Sequence, residues 1–120
     1  MSMALALLMI LDASAARDGG CDFVVRFTSH CCGIATKQVT QLENYLQAND
    51  GMVKNEKRLA GREGEREYCV RLVSHMDLPA VNGHLAGILR VPTGKKDVPS
   101  GTVMNCRMPK PDPLCQWRNP

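Results

Sequence analysis

Residues 21–46, CDFVVRFTSHCCGIATKQVTQLENYL, carry two periodicities separated by a cysteine-rich loop. In Phe23–Thr28, alternation sets Phe23, Val25 and Phe27 on one face and Val24, Arg26 and Thr28 on the other, the period of a strand. From Ala35 onward, Val39, Leu42 and Leu46 recur every three or four residues. They draw one apolar stripe along a helix over about residues 36–47, with Thr36 as its N-cap. Gln38, Gln41, Glu43 and Gln47 fall largely off that stripe. Asn49-Asp50-Gly51 stops the helix, with Gly51 or Asn49 available for a left-handed turn. Between strand and helix, Ser29–Gly33 holds His30, Cys31 and Cys32 side by side, in the kind of loop where an α/β unit usually binds.

The segments that follow complete a pattern. Met52–Leu59 reads as a strand, and its charged residues confine it to a sheet edge. Ala60–Gly64 is a glycine-bearing hairpin tip, and Glu65–Val73 a more apolar strand in which Tyr68, Val70 and Leu72 alternate with Cys69, Arg71 and Val73. Asp77 is placed to cap a second helix with Pro79 in its first turn and Leu78, Val81, Leu85, Ile88 and Leu89 as its stripe. Val91–Gly101 is turn-rich, and only Thr102–Met108 can supply a fourth strand. The resulting order, βαββα with that last strand, is the ferredoxin-like split βαβ pattern. It predicts an α+β two-layer sandwich over residues 21–108, with the first and third strands central. Residues 109–120, PKPDPLCQWRNP, carry too many prolines for regular structure and form an extended tail. An open sheet face bearing Val24, Cys69 and Val73 needs cover, and Leu114, Cys115 and Trp117 of that tail are the candidates to provide it.

The chain's 120 residues fit one domain, and 44% hydrophobic content suffices for a core. A formal charge of +3 and a pI near 8.6 fall short of a nucleic-acid footprint. Arg26 and Arg71, with Lys54 or Lys57, make the open sheet face basic. Aromatics are only 4% of the chain, however, so that face lacks stacking platforms and nucleic acid is not expected as a partner. Met3–Leu11 is an unbroken apolar run followed by Ala13-Ser14-Ala15. It is too short to span a bilayer and suits a signal peptide over residues 1–15, with a linker at 16–20. The mature chain is then secreted or periplasmic and has no membrane span.

In that compartment the six cysteines, Cys21, Cys31, Cys32, Cys69, Cys106 and Cys115, read as disulfide staples. The topology brings the Ser29–Gly33 loop to the end of the sheet where the third strand begins. Cys31 or Cys32 is therefore expected to pair with Cys69, closing a loop worth about 3–4 kcal/mol. An eight-membered ring between the two neighbours is disfavoured as strained. The alternative chemistry is a soft-metal site, zinc or copper, on His30, Cys31, Cys32 and Cys69. No C-x-x-C or H-x-x-x-H spacing supports it. A thiol enzyme would need Cys32 activated at the helix start with His30, His75 or His84 as base, and no orienting third group is recognisable. The expectation is thus a small exported binding or structural domain, not an enzyme and without a cofactor. Another protein is its expected partner, met at His30 and the tip residues Arg62, Glu63 and Glu65.

Overall fold

The computed structural model describes residues 20–107 and 110–117, and only the backbone of Met76. The expected signal peptide and residues 16–19 of the linker lie outside the described residues. Strands β1 (Phe23–Phe27), β2 (Val53–Leu59), β3 (Arg66–Leu72) and β4 (Thr102–Asn105) alternate with helices α1 (Thr36–Ala48) and α2 (Leu78–Ile88). A 3-10 turn, His75–Asp77, leads into α2. Among the described residues, the four strands form one antiparallel sheet in the order β2-β3-β1-β4. The two apolar strands are central, and the charged β2 lies on an edge. Exposed Lys54, Glu56 and Lys57 there oppose pairing with a further strand.

Both helices pack on one face. Phe23, Val25 and Phe27 of β1 and Tyr68, Val70 and Leu72 of β3 meet Val39, Leu42 and Leu46 of α1 and Leu78, Val81 and Leu85 of α2. The alternation read in β1 and β3 is therefore the division between the sheet's two faces. On the other face, β-register aligns Val24 with Cys69 and with Met104 in one cross-strand row. Cys21, Cys106 and Trp117 close over that row, so Trp117 is buried although it belongs to the tail. Val73 and Leu114 do not join this cover and are exposed. Val73 lies one residue beyond the end of β3.

Three local expectations change. Thr36 is the first helical residue, not the cap; Ala35 occupies the cap position, with no side-chain cap bond. At the other end of α1 neither Asn49 nor Gly51 takes a left-handed conformation. Instead the Asn49 side-chain amide donates to the Tyr45 carbonyl at 2.8 Å, satisfying one of the last carbonyls directly. Gln38 is fully buried. Its Nε2 shares its two hydrogens among the carbonyls of Leu89 (3.2 Å) and Val91 (2.6 Å) and Ser100 Oγ (3.1 Å). Its Oε1 accepts from the Gly101 N–H at 2.9 Å. One side chain of α1 thus holds both ends of the irregular α2–β4 connection. Gly101 also lies against the Phe27 ring, where a Cβ would come within 2.5 Å of a ring carbon.

Candidate functional site

Strand β1 ends at Phe27, opposite Arg66, the first residue of β3. The chain then turns through Ser29–Gly33 into α1. The Gly33 N–H donates to Ser29 Oγ at 3.1 Å, and Gly33 adopts a φ of 99°, which favours glycine. Buried Ile34 and Ala35 anchor the exit of the turn. Its crest, His30, Cys31 and Cys32, is exposed.

Cys31 and Cys32 are bonded to each other, with Cα atoms 3.7 Å apart. The expected bridge from this loop to Cys69 is not formed; Cys69 is bonded to Cys21, and Cys106 to Cys115. Two geometric reasons explain the difference. Cys69 stands opposite Val24, three residues along β3 from the Phe27–Arg66 pair, or about 10 Å from the loop end at strand rise. Its pleat position also points it away from the helices, into the cluster with Val24 and Met104. Cys21, just before β1, approaches on that side with a Cα–Cα separation of 5.3 Å. The four-residue metal set is consequently not assembled, because Cys69 is buried on the tail-covered face and bonded to Cys21. Among the described residues no group of three or more His, Cys, Asp and Glu side chains is placed to hold a metal ion.

The crest lies between two concavities. On one side His30 and Cys31 border a groove of about 400 Å³ completed by Lys96, Asp97, Val98 and Pro99. On the other, Cys32 faces Glu63, Gly64, Arg66 and Lys95 across a cavity of about 210 Å³. The hairpin tip therefore does reach this end of the sheet. Within it, Glu65 accepts the Glu63 N–H at 3.0 Å, and Arg62 is exposed. The sequence reading missed the segment Lys95–Pro99. Its composition signals only turns, and its position follows from the Gln38 anchor and buried Val98.

Two further polar clusters flank the sheet. On the tail-covered face, Arg58, Glu67 and Arg26 form a cross-strand row. Arg58 donates to Glu67 at 2.9 Å, and Arg26 donates to the same carboxylate. Burial alone would raise the Glu67 pKa, but these two bonds and their charges outweigh it and hold the carboxyl below the usual carboxylate range. The Arg58 guanidinium lies 4.2 Å from the centre of the Trp117 ring. The expected basic face is thus compensated: Arg71 also pairs with Glu56 at 3.3 Å. Lys57 lies on the helix side, 3.1 Å from Glu43. There the Tyr68 hydroxyl donates to Glu43, and burial followed by that bond pushes the phenol pKa up. The same bond, with Lys57 and Arg66 and against partial desolvation, holds Glu43 low.

Of the remaining histidines, His75 Nε2 lies 3.2 Å from buried Asp22, whose other carboxylate oxygen accepts from the Leu72 N–H. His84 is exposed and stacks on Tyr45 with 5.0 Å between ring centres. No helix among the described residues is long and apolar enough to cross a membrane. The chain matches no protein-family model, and no curated protein or solved structure matches it, so the geometry of this end of the sheet carries the functional reading.

Proposed function

We propose that this chain is a small exported binding domain of ferredoxin-like split βαβ topology. Residues 1–15 act as its signal peptide, and the loop end of the sheet is its contact surface for another protein. The observation that carries the reading is a convergence. The His30–Cys32 crest, the Arg62–Glu65 tip and the Lys95–Pro99 segment meet at one end of the molecule, and of these residues only Val98 belongs to a buried cluster. Such an end presents alternating acidic and basic groups around an apolar disulfide, a composition suited to recognising a complementary protein surface. Pairing of all the described cysteines supports maturation in an oxidising compartment outside the cytoplasm.

Two measurements test it. Export and processing should give a protein that begins at Ala16 and gains six hydrogens in mass on reduction. A retained N-terminus with free thiols would overturn the exported reading. In the native host, a photo-crosslinking residue at Arg62 should give a discrete protein adduct, whereas the same residue at exposed Lys110 should not. Equal labelling at both positions, or stoichiometric zinc or copper in the purified protein, would overturn the binding reading.

A further inference from the structure

The three disulfides are not equivalent. Cys21–Cys69 joins positions 48 residues apart and Cys106–Cys115 positions 9 apart, so both restrict the unfolded chain. Cys31–Cys32 joins neighbours and closes no chain loop, so it contributes almost nothing of that kind. It is not needed to shape its own turn either, since Ser29 Oγ and the Gly33 N–H already tie the turn's ends together. Exposure divides them the same way. Cys21 and Cys69 are 0% exposed, Cys106 is 4% exposed and its partner Cys115 is half-buried, while Cys31 and Cys32 are both exposed. Each also borders a concavity, with Lys96 beside Asp97 on the Cys31 side and Lys95 and Arg66 beside Glu63 on the Cys32 side.

We propose that Cys31–Cys32 is a reversible thiol–disulfide exchange site for small thiols, separate from the two disulfides that hold the fold. A thiolate of a small thiol attacks one of the two sulfurs, the S–S bond breaks, and the neighbouring cysteine leaves as a thiolate. A second thiol attacks the resulting mixed disulfide and releases the small-molecule disulfide. The net change reduces Cys31–Cys32 to two thiols and oxidises two small thiols to one disulfide. The two protons pass from the small thiols to the cysteines. The lysines and Arg66 around the crest favour both the approach of an anionic thiol and the thiolate that leaves. Because the cysteines are adjacent in the chain, the reverse oxidation always finds its partner within reach.

The test is graded reduction of the folded full chain with reduced glutathione, followed by alkylation and peptide mapping. Cys31 and Cys32 should be labelled first, at least roughly tenfold faster than Cys106 and Cys115, with Cys21 and Cys69 last. The melting temperature should move by less than about 2 °C at that first stage, and oxidised glutathione should restore the bond. Given oxidised glutathione, the variant C32S should trap glutathione on Cys31, its thiolate displacing one reduced glutathione from that disulfide, and C31S/C32S should melt as the parent does while losing the fast labelling phase. Labelling of Cys106 and Cys115 first or at the same rate would overturn the assignment. So would a loss of melting temperature in step with labelling of Cys31 and Cys32, or failure of C32S to form the mixed disulfide.

Discussion

Gln38 shows how one polar residue decides the position of a loop. It lies in a helix whose neighbours Val39 and Leu42 belong to the core, yet it is buried because four groups of the α2–β4 connection meet its amide. Replacement by leucine keeps the volume and strips those partners, leaving buried backbone groups unsatisfied. Gln38→Leu should lose about 2–4 kcal/mol in urea unfolding and speed hydrogen exchange at Gly101. Glu67 poses the complementary case, a carboxylate clamped by two arginines. Its folded pKa is lowered, so its stabilisation is present above the ordinary carboxylate value, about 4.3, and is lost as pH falls through the folded value. Glu67→Gln should therefore be less stable than the parent by about 1–3 kcal/mol at pH 7, and the difference should shrink in acid. A constant gap from neutral pH to about pH 2 would contradict that linkage.

At the level of elements, the C-terminal tail does for one sheet face what the helices do for the other. Trp117 and the Cys106–Cys115 bridge cover Val24, Cys69 and Met104, and the Gln116 carbonyl accepts a bond from Arg26 at 3.4 Å. Asp112 is tied to β4 through its N–H to the Asn105 carbonyl at 2.7 Å. Truncation after Met108, with Cys106→Ser to avoid a stray thiol, should cost about 3–5 kcal/mol: the Trp117 burial plus the small disulfide loop. Trp117→Ala alone should cost about 2–4 kcal/mol and abolish the tryptophan's buried fluorescence signature. A melting temperature unchanged in both variants would mean that the tail is not part of the folded unit.

For the whole molecule, the long bridge matters most. Cys21–Cys69 spans 48 residues and ties the entry of β1 to the middle of β3, worth about 4 kcal/mol in the chain-entropy model. Cys21→Ser/Cys69→Ser should lower stability by about that amount, and by more where the buried hydroxyls find no partner, as measured by chemical denaturation.

Much of this arrangement was legible in the chain itself. Period-two alternation in β1 and β3, the apolar stripes of both helices and the charge of β2 together specify an α+β domain with central and edge strands. These are local consequences of side-chain direction, and they need no knowledge of distant residues. The need for a cover over Val24 and Cys69 was equally readable, since alternation leaves apolar side chains on a face the helices do not reach. Disulfide pairing was not readable. Cys69 could be assigned a partner only once the β1–β3 register put it opposite Val24 and away from the loop. The β2–β3 register, which sets Lys57 opposite Tyr68, placed Lys57 with Glu43 on the helix side rather than on the open face. The burial of Gln38 and the arrival of Lys95–Pro99 beside His30 likewise depend on a loop folding back across about fifty to seventy residues of chain. Sequence determined which faces β1, β3 and the two helices would bury. Tertiary structure decided which residues met across them, because register and loop return are long-range choices that no local pattern encodes.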